Sequence, residues 1–450
     1  MKFHKLLVLL LLASAPVAAL PAERYSLQQA IGHALEHNPE LLALREQANA
    51  AVERRTAAAG AQRPQLGLSL SARTSNNALD AFADKLNTRS ATSADFDPAR
   101  LNDPGYSELF MGQLGLRWPV YTGGRLSAEA EGATHNAEAT KLHYARAREV
   151  TAFGTLRAYR QLQQAEQALA IADDAVAAAA AHARTTEALS REGRIVTSDK
   201  LTADVNLAAM EAARAQARAR VERARNSLRL VMGLSNATPF AVDALRNETA
   251  PRPFAEYDLS ALETTALATR KDLAATQAQR AAADTKIQAA RAARRPQIDV
   301  VATHNRYANS DSADHSNSLM GVLALDLYSG GRTGAEVAAA AAEAKQAEWE
   351  THARELAIRN DVREAVEALR EAHARHVIAT GNVERARQTV GQVQVRYGQG
   401  RTILIDLLQA ERALVEARSE ELNARFGIVV GEAALAFVQG TLPLPETTKP

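Results

Sequence analysis

No cysteine occurs anywhere in the 450 residues, which excludes disulfides, thiol chemistry and thiolate metal sites. Aromatic residues make up only 4%, and much of the 46% hydrophobic content is alanine, as in Ala177–Ala181 and Ala338–Ala342. Compact globular cores need large side chains, whereas long packed helices can be built from small ones. An excess of one charge is also missing. The 53 basic and 52 acidic residues are interspersed, so no basic stripe is offered to nucleic acid. Beyond the N-terminus no apolar run approaches the roughly 20 residues of a transmembrane helix. Any membrane crossing is therefore expected from strands.

The N-terminus reads as a secretory leader over 1–19. Lys2 and Lys5 flank its start, Leu6 to Leu12 form the apolar stretch, and Pro16 breaks it ahead of Val17 and Ala19 at the small-residue positions. No cysteine follows to carry a lipid.

What the chain does have is a large internal repeat. Tyr121-Thr122-Gly123-Gly124-Arg125 returns as Tyr328-Ser329-Gly330-Gly331-Arg332, about 207 residues later. Gly193-Arg194 with Asp199 returns at the same offset as Gly400-Arg401 with Asp406, and Gly233 matches Gly440. Upstream, Tyr25 and Leu27 match Tyr257 and Leu259, and Arg63-Pro64-Gln65 matches Arg295-Pro296-Gln297. The offset there is larger, so the first copy carries one long insertion. The expected organisation is a first repeat over 20–233, a linker over 234–258 with Asn236, Pro239, Pro251 and Pro253, a second repeat over 259–440, and a polar tail over 441–450.

Within a repeat, helical periodicity over Ser26–Gln62 is interrupted at Asn38-Pro39-Glu40, with Pro39 suited to a first helical turn. After Pro64 the period becomes two. Leu66, Leu68, Leu70 and Ala72 alternate with small or polar residues, and so do Leu114, Leu116, Trp118 and Val120. Ile298, Val300 and Ala302, then Leu319, Leu323, Leu325 and Leu327, repeat the pattern. This predicts strands at about 64–73, 110–121, 296–305 and 319–328, each long enough for a tilted transmembrane strand of about ten residues. Trp118, Tyr121 and Tyr328 lie where aromatic side chains meet a membrane interface. A soluble hairpin with one face in a small core accounts for the alternation equally well; the leader and the missing second apolar layer favour the membrane.

After each Gly-Gly-Arg comes a proline-free helical stretch, about 126–192 and 334–397, long enough for a rod of roughly 100 Å. Such a rod needs lateral partners. Segments 26–62 and 197–232 are about half that length, and stacked end to end they would match one rod. Four strands cannot close a barrel, for which eight is the practical minimum. An open sheet in lipid exposes backbone groups at several kcal/mol each, so the chain must oligomerise, with two, three or four copies giving 8, 12 or 16 strands.

In their order and shared offsets these motifs closely resemble the TolC family of bacterial outer-membrane efflux proteins, in its non-lipidated branch. The residues that carry the resemblance are Leu27 to Ala34 followed by Asn38-Pro39-Glu40-Leu41, the two Arg-Pro-Gln strand starts, the two Tyr-Thr/Ser-Gly-Gly-Arg strand ends and the two Gly-Arg helical turns. The resemblance implies a mainly α fold with a transmembrane β-barrel portion: long antiparallel helical hairpins forming a periplasmic tunnel, and four strands per chain of a 12-strand barrel shared by a homotrimer. It also implies an outer-membrane location, no enzymatic activity and no cofactor. The implied partners are a periplasmic adaptor and an inner-membrane pump or ABC exporter, in drug efflux or type I secretion.

Glycine can end a long helix in a tight turn, and hydroxyl and Asp side chains can start the returning helix, where its dipole favours a carboxylate. That local role alone would account for Gly193, Arg194, Ile195, Ser198 and Asp199 in one turn and Gly400, Arg401, Thr402 and Asp406 in the other. The resemblance adds a gate and an adaptor-docking tip. By position, Asp199 and Tyr397 match a Tyr–Asp pair that restrains the closed state, with Ser198 beside them, and Asp406 matches the outer member of a double Asp constriction. The second Asp of that constriction is Gln409 here, and the gate arginine is Thr402, next to Arg401. A weaker acidic ring is the consequence. The docking tips would be Gly193, Arg194 and Ile195 with Gly400, Arg401 and Thr402.

Other patterns carry less. His33/His37 and His373/His376 have helical spacing that could suit a metal, but solvated helix faces explain them, and no metal site is expected. No nucleophile–base constellation or phosphate loop occurs; Gly-Gly-Arg lacks the Lys-Ser/Thr of a phosphate site. The insertion Thr74–Tyr106 joins two strands away from the helices, as an extracellular loop that either covers the opening or lies on the surface. A surface stalk with a barrel anchor is the rival architecture, but a stalk needs no returning hairpins.

Overall fold

The computed structural model describes residues 23–235, 239–244 and 254–445. The leader, part of the linker and the end of the tail lie outside these. The first repeat runs β1 (Glu23–Tyr25), α1 (Leu27–His37), α2 (Pro39–Gly60), β2 (Gln65–Ser75), α3 (Ala78–Asn87), α4 (Pro98–Asn102), β3 (Ser107–Tyr121), α5 (Arg125–Arg191) and α6 (Thr197–Met232), and β4 (Phe240–Val242) follows in the linker. The second runs α7 (Leu259–Thr269), α8 (Lys271–Ala292), β5 (Gln297–Ala308), β6 (Ala313–Ala324), α9 (Arg332–Gly398) and α10 (Leu404–Val438). Among the described residues no helix is long and apolar enough to cross a membrane.

Local chemistry sets the helix boundaries. Ser26 and Gln29 form a reciprocal capping box at the start of α1. Asn38 ends α1 and caps α2 through Leu41 N–H at 3.0 Å, with Pro39 at the first helical position. The same break in the second repeat falls at Arg270, which has no capping side chain; its buried guanidinium bonds Asp272 and Asp361 instead, each at 2.6 Å. At both breaks the returning helix abuts the shorter one. Asn38 Nδ2 donates to Val231 O at 2.8 Å near the end of α6, and Thr269 Oγ1 donates to Gln439 O past the end of α10. A half-length helix and α6 or α10 thus form one broken rod beside an unbroken one.

The packing is alanine-rich, as the composition requires. Ala30, Ala34, Ala158 and Ala224 surround Tyr159, Leu162, Leu228 and Met232 in one cluster. Tyr159, 1% exposed, donates its hydroxyl proton to Tyr25 O at 3.0 Å and accepts the Asp243 N–H at 3.0 Å. It thereby ties α5 to β1 and β4, which pair in parallel with Tyr25 opposite Val242. This small sheet is unexpected from sequence.

The main sheet is antiparallel in the order β2-β3-β5-β6. Directly paired residues share a face, so the row Leu66–Leu116–Ala302–Leu319 defines an apolar side that also carries Leu68, Leu70, Leu114, Trp118 and Leu323. Leu66, Leu68 and Leu70 are 67%, 69% and 78% exposed, and no described residue covers them. The opposite side carries Ser69, Ser71, Arg73, Gln113, Arg117, Asp299, Thr303 and Asn305. One difference from the alternation concerns β6, which spans 313–324 rather than 319–328. A short turn closed by Asn309 N–H to Ser312 O at 2.9 Å starts it early. It ends at Ala324 because its partner strand runs out at Pro296, which has no N–H to offer.

Candidate functional site at the helical tips

Both long hairpins turn through a left-handed glycine, Gly193 at φ 68° and Gly400 at φ 70°. In the first, Arg194 N–H reaches Leu189 O at 2.9 Å and Gly193 N–H reaches Ser190 O at 3.0 Å; in the second, Arg401 and Gly400 bond Arg396 O and Tyr397 O at 2.8 and 2.9 Å. This paired closure satisfies the last helical carbonyls and needs positive φ, so a side chain at either glycine would be strained. Asp199 and Asp406 then fall in the first turns of α6 and α10, in the favourable field of the helix N-termini. The hydroxyls do not cap as expected. The cap positions are Val196 and Ile403, because the turn sets Thr197 one residue inside the helix and Thr402 one residue outside. Thr402 Oγ1 bonds Asp406 Oδ2, and Ser198 accepts through its carbonyl from Thr202 Oγ1.

Of the residues singled out for the gate, Tyr397 and Asp199 come close together. Tyr397 is half-buried against Ala183, Ala203, Leu207, Leu404 and Leu408, a cluster that joins all four long-hairpin helices. Burial, and then the Asp199 charge, push its phenol above the ordinary value. Among the described residues no hydrogen bond links the two side chains. Asp406 and Gln409 lie exposed on one face of α10. Arg401 is exposed and has no acidic partner among the described residues; Arg194 meets Glu192 at 3.4 Å. Ile195 is half-buried, but Val196 and Leu201 in the same turn region and Ile403 in the second turn are 63%, 58% and 64% exposed. These exposed apolar residues at the tip are missing from the sequence-based selection, although Val196 and Ile403 occupy matching places in the repeat.

A second feature absent from the sequence reading is a polar seam between the hairpins. Along it α5 meets α10 through Gln164–Asn423 at 2.9 Å, Asp174–Arg418 at 3.3 Å and His182 Nε2–Glu411 Oε1 at 2.6 Å. Arg412 of α10 bonds Asn206 of α6 at 2.8 Å. The Glu411 hydrogen bond holds the His182 imidazole above its ordinary pKa, against the opposing effect of burial.

At the other end, the insertion folds onto the polar side of the sheet. Asp84, buried in α3, accepts from Arg73 and from Ser107 Oγ at 2.8 Å, and Arg89 pairs with Asp314 at 2.9 Å. Arg73, Ser107 and Asp314 all belong to that side by register. Between insertion and strands lies a cavity of about 820 Å³ lined by Asp84, Lys85, Asp95, Arg100, Asp103 and Glu108. Trp118 and Tyr121 project from the apolar side, while Tyr328 sits past the end of β6, 89% exposed.

Residues 30–234 and 262–441 match the family of outer membrane efflux proteins. The chain belongs to the outer membrane efflux protein family. Its fold is similar to that of the VceC outer membrane protein of Vibrio cholerae (19% identity over 92% of this chain and 96% of that one, TM-score 0.76). It is also similar to the CmeC outer membrane channel of Campylobacter jejuni (16%, 94% and 87%, TM-score 0.79) and to CusC (18%, 92% and 92%, TM-score 0.77). No curated protein sequence matches the chain. The TolC-like resemblance and the outer-membrane location read from the motifs therefore hold. This efflux protein family is one of channels rather than of enzymes.

Proposed function

We propose that this protein is one protomer of a homotrimeric, passive exit duct, closed at its helical tips and opened when a periplasmic adaptor and an inner-membrane pump or ABC exporter dock there. The observation that carries the ring is a mismatch between the repeats. Arg295 packs on Gly123, donating to its carbonyl at 3.0 Å, and the space beside Gly123 is so tight that a Cβ would lie 2.7 Å from Ala292 O. The matching Gly330 faces open space, and the matching Arg63 is exposed, its side chain without a partner among the described residues. A second copy joined head to tail would put its Arg63 on Gly330, pairing its β2 edge with the β6 edge of the first. That contact removes both open edges once the ring closes.

The gate reading rests on the Tyr397 cluster and the neighbouring Asp199, which bind the tip of α9 to α6. The test measures the detergent-corrected mass of the extracted protein by light scattering, and its single-channel conductance in planar bilayers. A trimer with a small conductance, raised by Tyr397→Phe combined with Asp199→Ala, is expected. A folded monomer would sink the ring; an unchanged conductance in the double variant would remove this pair from the gate.

A further inference from the structure

The apolar side of the sheet is not uniform. On β2 the apolar residues run from the Leu66 row toward the hairpin end as far as Ala72, whereas on β6 they run from that row the opposite way, past Leu323 to Leu325 and Leu327. A membrane slab cuts tilted strands along such a diagonal. The hairpin ends of β5 and β6 therefore lie outside the apolar band while still facing the lipid. There the same face carries His304, Arg306, His315 and Asn317, with His304 opposite Asn317 and Arg306 opposite His315. His304 Nδ1 is fixed by Asn317 Oδ1 at 2.7 Å, and the two imidazole centroids are 5.8 Å apart. Arg306 is exposed and has no acidic partner among the described residues. Asp314 lies 3.4 Å from His315 Nδ1, and Glu108 is two residues along β3 from Phe110 on the outward face.

Arg306 is also one wall of an apolar groove. Its partner across the ladder is Gly112, and the missing side chain there leaves a notch of about 480 Å³ between Leu70, Ala72, Phe110 and Ala308. A guanidinium with two imidazoles beside it, directly over an apolar notch at the edge of a hydrocarbon band, is complementary to a phosphate joined to acyl chains.

We propose that this face holds a phosphorylated glycolipid of the outer leaflet, with Arg306, His304 and His315 on a phosphate and the Gly112 notch around an acyl chain. Planar guanidinium favours bidentate contact with phosphate oxygens, and each acyl methylene covered in the notch adds hydrophobic stabilisation. The inference rests on the reading of the sheet as a membrane-spanning barrel wall. Edge pairing between copies uses backbone groups and leaves this face to the lipid.

The experiment titrates the detergent-extracted full-length protein with Kdo2-lipid A, with its dephosphorylated form and with phosphatidylethanolamine, counting bound lipid by native mass spectrometry. Wild type is expected to bind the phosphorylated lipid about tenfold or more tightly than the other two. The triple variant Arg306→Ala/His304→Ala/His315→Ala should lose that preference, and Arg306→Lys should keep part of it. Gly112→Leu should weaken all three lipids while leaving the phosphate preference intact. Equal binding of phosphorylated and dephosphorylated lipid by wild type would overturn the proposal, whatever the variants do. Conductance is recorded in parallel. Variants that still insert and conduct but lose lipid uphold the barrel wall and the lipid site together; wild type that conducts without phosphate preference leaves the duct standing and removes the site.

Discussion

The His182–Glu411 pair offers a direct handle on the seam between the two hairpins. Both side chains are mostly buried, 18% and 21% exposed, and the 2.6 Å contact joins helices whose residues are far apart in sequence. Its hydrogen bond raises the imidazole pKa, so protonation and seam closure reinforce each other. For a group whose pKa is raised on folding, the stabilisation is complete below the ordinary value near 6.5 and fades as pH rises through the higher folded value. The seam should therefore be tighter at pH 6 than at pH 8.5. The pair is partly screened, so its worth lies between a surface ion pair and a buried charged hydrogen bond, on the order of 1–2 kcal/mol per chain. That corresponds to roughly a 5- to 30-fold change in the local opening equilibrium. His182→Gln keeps a neutral hydrogen bond but cannot titrate, and Glu411→Gln removes the charge it answers to. Open probability in planar bilayers, recorded from pH 5.5 to 8.5, should rise with pH in wild type and be flatter in either variant. A double-mutant cycle on the thermal midpoint should return a coupling of comparable size at pH 6 and less at pH 8.5. Asp174, Arg418 and Arg412 line the same region but are paired along the seam or with Asn206, so they are not expected to supply the slope. If His182→Gln retains the wild-type pH dependence, the seam is not what opens.

Two other outcomes follow from the geometry. Arg63→Ala should reduce the fraction of trimer surviving in detergent at dilute protein, and Gly330→Leu should do so more strongly by filling the space an incoming Arg63 needs; trimer stability equal to wild type in both would contradict head-to-tail closure through this contact. Asp84→Ala strips the insertion of its bonds to Arg73 and Ser107, an interaction worth about 1–3 kcal/mol given the half-exposed arginine. Faster cleavage of residues 74–106 by protease added to whole cells, together with a noisier conductance, is expected; protection equal to wild type would mean that other contacts hold the insertion down.

Much of this architecture is legible in the chain because its signals are local and duplicated. The strand alternation around Leu66–Ala72, the proline-free rods and the paired glycine turns each depend on residues a few positions apart. β1 and β4 escape notice because three residues give no period, and their pairing joins segments on opposite sides of the first repeat. The seam is hidden for the same reason: nothing near His182 in sequence distinguishes it from the other ten histidines, and Glu411 reaches it only through the packing of α10 on α5. The apolar cap residues Val196 and Ile403 were obscured by the hydroxyls next to them, which suggest a capping role that the glycine closure displaces by one position.

The insertion occurs in one hairpin of the sheet and not in the other, where four residues suffice to turn from β5 to β6. Loop length costs little free energy once the strands on either side are in register, and each doubling adds only about 0.6 kcal/mol. The duct wall therefore constrains what lies inside the membrane and in the helices, but scarcely constrains what is displayed outside the cell. Around the proposed ring of three chains, folded insertions and bare turns would alternate, so a mouth of nearly sixfold regularity would become threefold at its outermost layer. That layer can drift under pressure from whatever recognises the cell surface, while the strands and tips beneath it stay as they are.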